Sequence, residues 1–169
     1  LSKNEKILVI GDYDVDGCVS TALLLKFFKL INKTSDFYIP DRFRDGYGAS
    51  INLVKKLSKK KPNLIIMVDC GSNSLEAIEY LKSKNIKSII IDHHDINIPH
   101  PVDDCLVNPK KRGDYQIYDY LCSASLTYFF IDCFIKNKKL KVNFEYNLIY
   151  VLLATICDVM PMRDLNKIV

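Results

Sequence analysis

An α/β fold, a doubly wound sheet of about five mainly parallel strands flanked by helices, follows from three features of the 169-residue sequence. Short β-branched runs, polar turns and amphipathic stretches alternate along the chain. The runs "ILVI", "LIIMV" and "SIII" are apolar without interruption, as strands covered on both faces must be. Acidic residues and histidines gather immediately after these runs, at the strand ends where such sheets bind ligands.

Taken in order, the strands are predicted at Ile7–Ile10, Phe37–Ile39, Leu64–Val68, Ser88–Ile91 and Cys105–Val107. The helices between and after them are predicted at Val19–Ile31, Ser50–Lys59, Leu75–Lys84, Ser123–Lys136 and Glu145–Ile156. Asn73 with Glu76 resembles a capping box opening the third helix, and Pro62 and Pro161 mark breaks. Strand–helix–strand alternation of this kind gives right-handed crossovers. The sequence contains no internal repeat, low-complexity tract or Gly/Ser-rich linker, so residues 1–169 read as one domain.

Composition narrows the function classes. At 49% hydrophobic the chain can bury a substantial core, and it has no apolar run of membrane-spanning length, so a soluble protein with no membrane partner is expected. A net charge of +4 admits nucleic acid as a partner without demanding it. The six cysteines include no C-x-x-C and follow no signal peptide, so they read as reduced core residues of a cytoplasmic protein. Lys59–Lys61, Lys110–Arg112 and Lys136–Lys141 read as solvated turns. A start at Leu1 and a stop at Val169 without a capping signal suggest a piece of a longer protein.

Residues 11–17 read "GDYDVDG", which puts Asp12, Asp14 and Asp16 at alternate positions directly after the first strand. Asp69 follows the third strand, and Asp92, His93 and His94 follow the fourth. Any one of these alone would be read as a cap or a surface residue. Together they bring five carboxylates and two imidazoles to one sheet edge, in a chain with three histidines in all. Crowded carboxylates raise one another's pKa and repel, so such a cluster requires cations. Mixed Asp and His ligands suit Mn²⁺ or Mg²⁺ better than Zn²⁺, and the triple aspartate fits a site for two divalent cations. Asp158 closes the apolar stretch "YVLLATICDVMP", at the negative end of a helix dipole, where a carboxylate is unfavourable unless a metal lies near.

"DYDVDG", "VDCG", "DHH" and "CDVMP" occur in the order and approximate spacing of the DHH phosphoesterase superfamily. "IPDRFRDGYG" at residues 39–48, with "LVNP" and "LCSASL", resembles its RecJ branch of single-strand-specific 5′→3′ DNA exonucleases. Asp45 stands where many relatives would carry Glu. The resemblance implies a metal-dependent phosphodiester hydrolase of single-stranded DNA, acting in DNA repair and recombination, with a metal-activated water attacking the scissile phosphate. It implies that Asp14 and Asp16 hold one metal each, that Asp69 bridges them, and that His93 and Asp158 complete the second site. Asp12 and Asp92 would support from behind, and His94 would face the scissile phosphate as acid or hydrogen-bond donor.

Arg42 offers a fork suited to a phosphate, with a surface ion pair to Asp41 or Asp45 as the alternative. Tyr47 would stack on a base, and Gly46 and Gly48 would let backbone amides approach a phosphate. Asn108 would orient a ligand or water, and Ser123 would offer helix N-terminal amides to phosphate, each with plain capping as the alternative. By resemblance the whole protein would be a monomer with DHHA1 and OB-type domains beyond these residues. Three other readings share parts of the pattern: an oligoribonuclease or nucleotide phosphatase of the same superfamily, a pyrophosphatase, and a non-catalytic nucleic-acid-binding relative. The last class tends to lose metal ligands, and here every ligand position is filled.

Overall fold

The computed structural model describes residues 5–100, 105–111 and 114–167. Five parallel strands form one sheet in the order β2-β1-β3-β4-β5, where β1 is Ile7–Ile10, β2 Ser35–Tyr38, β3 Leu64–Val68, β4 Lys87–Ile91 and β5 Leu106–Val107. The strand order reverses between β1 and β3, so the chain leaves these neighbours in opposite directions and opens a crevice at their carboxyl ends. The registers Val9 with Ile66 and Ile66 with Ile89 keep the three central strands level, so their ends reach one edge together.

Two cores follow from the alternation of side chains along these strands. Ile7, Val9, Ile66, Val68 and Ile91 face α1 (Val15–Leu30), α4 (Ser123–Asn137) and α5 (Leu148–Cys157). Leu8, Ile10, Ile65, Met67 and Ile90 face α2 (Ile51–Ser58) and α3 (Leu75–Ser83). Each fully buried Leu or Ile stabilises the fold by roughly 1.5–3 kcal/mol. Phe27 anchors the first core, its ring 5.4 Å from Phe134 and 6.3 Å from Phe144. Among the described residues no helix is long and apolar enough to cross a membrane.

Helix α1 begins at Val15, four residues before the expected start at Val19, because Asp14 is its N-cap: Oδ1 accepts the Gly17 N–H at 2.9 Å. Asp16 therefore rides on the first turn of a helix. Strand β2 begins at Ser35 rather than Phe37 and lies at the sheet edge, where half-exposed residues give a weaker apolar signal. Helix α5 starts at Leu148, after a 3₁₀ turn over Glu145–Asn147. The capping box expected of Asn73 and Glu76 does not form. Asn73 instead donates to the Asp95 carbonyl and accepts the Asn97 N–H, both at 2.8 Å, and so ties the loop after β4 to the start of α3.

Among the described residues no cysteine forms a disulfide, and only Cys70 and Cys122 are buried. Cys18, Cys133 and Cys157 are exposed on helices, which corrects their assignment to the core. In the Lys110–Arg112 cluster, Lys110 pairs with Asp95 at 2.9 Å, and Arg112 lies outside the described residues.

Candidate active site

The crevice at the β1–β3 switch point collects the aspartates and histidines that stand directly after β1, β3 and β4. Asp12 leaves β1, Asp69 leaves β3, and Asp92, His93 and His94 leave β4; Asp158 is the C-cap of α5 and reaches in from the helical layer. Three groups of ligand atoms lie within 4.8 Å of one another: Asp12, Asp14 and Asp69; Asp16, His93 and Asp158; and Asp69, His93 and His94. Asp69 is common to the first and third groups, and His93 to the second and third. Its central place has a backbone counterpart, since Asp69 adopts a left-handed φ of 59°, a conformation that costs a non-glycine residue about 1 kcal/mol or more.

His93 Nε2 lies 3.4 Å from Asp69 Oδ1, 3.4 Å from Asp158 Oδ2 and 3.8 Å from Asp16 Oδ2. These spacings are too long for good hydrogen bonds. Both nitrogens of His93 and the oxygens Asp12 Oδ1, Asp69 Oδ2 and Asp158 Oδ2 are buried with no hydrogen-bond partner. Unpartnered buried donors and acceptors are costly, and hard oxygen and imidazole atoms converging on common points are what divalent cations satisfy. The donor set thus fits the cations expected from the sequence.

The electrostatics agree. Burial, with the Asp16 and Asp14 carboxylates alongside, pushes the Asp69 carboxyl up to about 11. Burial likewise raises Asp12, Asp16 and Asp158, although backbone N–H groups oppose it at Asp12 and Asp16, and His93 opposes it at Asp158. Burial lowers His93, favouring the neutral, ligating imidazole.

Asp92 behaves differently. Burial works against its charge, but the hydrogen bonds from His94 and Ser72 outweigh it and hold the carboxyl at about 2. Its Oδ1 accepts from the backbone N–H groups of His93 and His94 and from His94 Nδ1 at 2.8 Å, while Oδ2 accepts the Ser72 N–H at 2.9 Å. Asp92 is therefore a clamp on the two histidines. Its hydrogen bond to the ring is what raises the His94 pKa above the ordinary histidine value.

Several residues singled out in the sequence take places other than those expected. The N-terminal amides of α4 do not await a phosphate: Ser123 N and Ala124 N donate to the two oxygens of Asp16 at 2.7 and 2.8 Å. Ser123 Oγ donates to Asp69 Oδ1 at 3.0 Å. Asn108 is buried, with its amide donating to Ser72 Oγ and the His94 carbonyl and accepting the Lys110 N–H. It holds the backbone beneath His94 rather than facing the crevice. Asn108→Ala is expected to lower stability by about 2–3 kcal/mol and to reduce turnover more than metal affinity, read by urea unfolding beside steady-state rates. An unchanged unfolding midpoint would refute it.

Arg42 is exposed, with its guanidinium 5.6 Å from the centre of the Tyr13 ring. Asp45, one of its expected ion-pair partners, is engaged by the Tyr38 hydroxyl at 2.6 Å, by the Asp41 N–H and by Lys56. That network pins the loop that carries Arg42 and Tyr47. The Tyr47 hydroxyl lies 3.0 Å from His94 Nε2, a contact that spacing in the sequence does not reveal. Gly48 has a φ of 62° and packs beside Cys70, where an added Cβ would lie 3.4 Å from Cys70 Cβ. Ser72, whose N–H reaches Asp92 and whose hydroxyl accepts from Asn108, carries no signal of its role in the sequence beyond its place shortly after β3.

A parallel α/β domain with a carboxylate–imidazole centre at its switch point is the class that fold and site define. The chain belongs to the DHH family, with residues 6–156 matching its N-terminal domain. It is 33% identical over 174 residues to the single-stranded-DNA-specific exonuclease RecJ of Haemophilus influenzae, covering 97% of this chain and 30% of the relative. It is 29% identical over 169 residues to the same-named protein of Bacillus subtilis, covering 100% of this chain and 21% of the relative. The chain thus spans about a fifth to a third of these curated relatives. A crystal structure of exonuclease RecJ bound to manganese superposes with a TM-score of 0.87 at 25% identity, covering 97% of this chain and 41% of the other.

Proposed function

We propose that this chain is the catalytic domain of a single-stranded-DNA 5′→3′ exonuclease that holds two divalent cations, Mn²⁺ or Mg²⁺, and acts in DNA repair and recombination. The observation that carries the reading is the pair of ligand groups, Asp12–Asp14–Asp69 and Asp16–His93–Asp158, joined by the 3.4 Å approach of His93 to Asp69. Asp12, Asp14 and Asp69 would hold one cation, and Asp16, His93 and Asp158, with Asp69 alongside, would hold the other. The buried, unpartnered Oδ1 of Asp12 supports a ligand role for it in this reading, where the sequence suggests support from behind.

When bound, two such cations lower the pKa of a coordinated water and neutralise charge on the leaving oxygen. The residues of the chain supply the rest. Asp92 keeps a proton on His94 Nδ1 and orients the ring, so that Nε2 serves a non-bridging phosphate oxygen or the leaving group. Ser123 Oγ fixes one oxygen of Asp69, and the α4 amides fix Asp16, so the ligands need little reorganisation when they bind. Arg42 clamps a phosphate and Tyr47 receives a base, both from the exposed loop above the crevice.

In this reading the whole protein is a cytoplasmic monomer, and residues beyond this domain grip the strand. The relatives, named single-stranded-DNA-specific exonucleases, support strand DNA over short RNA or pyrophosphate as substrate. The full-length protein with Mn²⁺ is expected to digest 5′-labelled single-stranded DNA far faster than dinucleotides. Faster cleavage of dinucleotides would favour the oligoribonuclease reading instead.

Because the metal requires charged ligands while Asp12, Asp16, Asp69 and Asp158 have raised pKa values, binding displaces protons. Mn²⁺ affinity is therefore expected to increase with pH from the ordinary carboxylate range towards about 11, by up to roughly tenfold per pH unit for each proton displaced. Titration calorimetry in buffers of different ionisation enthalpy reads both affinity and proton release. Affinity that stays flat between about pH 6 and pH 8 would contradict this account of the site.

A further inference from the structure

Tyr47 stands between two glycines in the left-handed region, Gly46 at φ 79° and Gly48 at φ 62°. A Cβ added at Gly46 would meet nothing within 4 Å, so the backbone just before Tyr47 is not packed against the domain on that side. Tyr47 is 59% exposed as a residue, and its ring meets the Tyr13 and His94 rings edge-on. It is a large side chain on a permissive backbone, held mainly at its tip.

What holds the tip is His94 Nε2, 3.0 Å from the hydroxyl. The direction of that bond is set from the other side of the ring. Asp92 accepts from the backbone N–H groups of Ser72, His93 and His94, and an acceptor-only carboxylate needs His94 Nδ1 to carry its proton. In neutral His94 the lone pair is then on Nε2, and the Tyr47 hydroxyl donates to it. In the imidazolium, Nε2–H donates to the Tyr47 oxygen. In both states, Tyr47 occupies the one ring nitrogen that Asp92 leaves free.

We propose that Tyr47 guards His94: without a strand its hydroxyl occupies Nε2, and a substrate phosphate oxygen must displace it before His94 can serve the reaction. The inference rests on the reading of His94 as the phosphate-facing residue. A phosphate oxygen can only accept, so the exchange takes place at Nε2–H; there an anionic phosphate oxygen is a stronger acceptor than a phenol, and its charge favours the protonated ring. Rotation about the Tyr47 side-chain bonds frees Nε2 while the loop stays anchored at Asp45. A ligand whose phosphate cannot reach Nε2 leaves the guard closed, which makes Tyr47 a determinant of which phosphates are accepted.

Tyr47→Phe keeps the ring and removes the hydroxyl. With Mn²⁺ and oligothymidylate, kcat/KM is expected to rise about 3–10-fold, chiefly through a lower KM, because no hydroxyl competes for Nε2. A fall in kcat/KM would overturn the proposal, since the hydroxyl would then assist the reaction. Nitrogen-15 spectra of the His94 ring give a second readout that needs no turnover. Nε2 should resonate differently in wild type and Tyr47→Phe, and oligothymidylate added to the metal-free wild type should move it away from its strand-free position. An Nε2 signal unaffected by the substitution or by the strand would overturn the guard. If the wild type hydrolyses no strand with any divalent ion, the exonuclease reading fails, and the ring spectra alone decide the proposal.

Discussion

Asp69→Asn is expected to abolish Mn²⁺ binding and to reduce hydrolysis by about 10³-fold or more, while making the metal-free domain more stable. The loss follows from position. Asp69 belongs to two of the three ligand groups, its Oδ2 is buried and unpartnered, and a neutral amide neither carries the charge nor matches the ligand strength of a carboxylate. The gain follows from the raised pKa. Below the unfolded value of about 3.8 the carboxyl is protonated whether folded or not, and its contribution to stability is fully present. As pH rises towards about 11 the unfolded chain ionises first, and that contribution is lost. Asparagine has no such titration, so at neutral pH the metal-free variant should be stabilised by about 2 kcal/mol, or roughly 4–8 °C in melting temperature. Scanning calorimetry with chelator and with Mn²⁺ should show the order of the two proteins reversing. A variant that melts below wild type in chelator would show that the Asp69 carboxyl is not strained by its surroundings.

Gly17→Ala should be nearly as damaging, by a route that involves no ligand. A Cβ at this position would lie 2.5 Å from both the backbone nitrogen and the carbonyl oxygen of Asp12, and no side-chain rearrangement can relieve contact with backbone. The start of α1 would have to move away from the exit of β1, which carries Asp12 and, through the N-cap, Asp14. An expected loss of about 3 kcal/mol or more lowers the melting temperature by roughly 6–12 °C, and the altered spacing of Asp12, Asp14 and Asp16 should weaken Mn²⁺ binding in the molecules that remain folded. Wild-type melting and wild-type affinity together would mean that the close approach of strand and helix is no constraint.

Legibility in the sequence differed by element for physical reasons. Strands β1 and β3 stand where their apolar runs predict them, because a central strand with both faces covered carries its signal in every residue. The edge strand β2 has half-exposed residues and its start was misplaced. The beginning of α1 was misread because three aspartates and a glycine resemble a loop, whereas Asp14 uses its side chain to start the helix early. In the site, the strand-exit rule located Asp12, Asp69, Asp92, His93 and His94, since topology alone brings those positions together. The partners that fix them were not legible. That Asp16 meets the start of α4, that Asn108 lies beneath His94, and that Tyr47 reaches Nε2 depend on how distant elements pack, and no local pattern encodes that.

The bond from Ser123 N to Asp16 joins residues 107 positions apart. The Asp16 half of the centre is therefore complete only when α1 and α4 have docked. The amide hydrogens of Ser123 and Ala124 are bonded to the carboxylate proposed above as a cation ligand, so they can exchange with solvent only when that docking opens. Their exchange rates should slow on adding Mn²⁺ by more than those of neighbouring α4 amides deeper in the helix, turning two backbone hydrogens into a clock for how often the assembled centre comes apart.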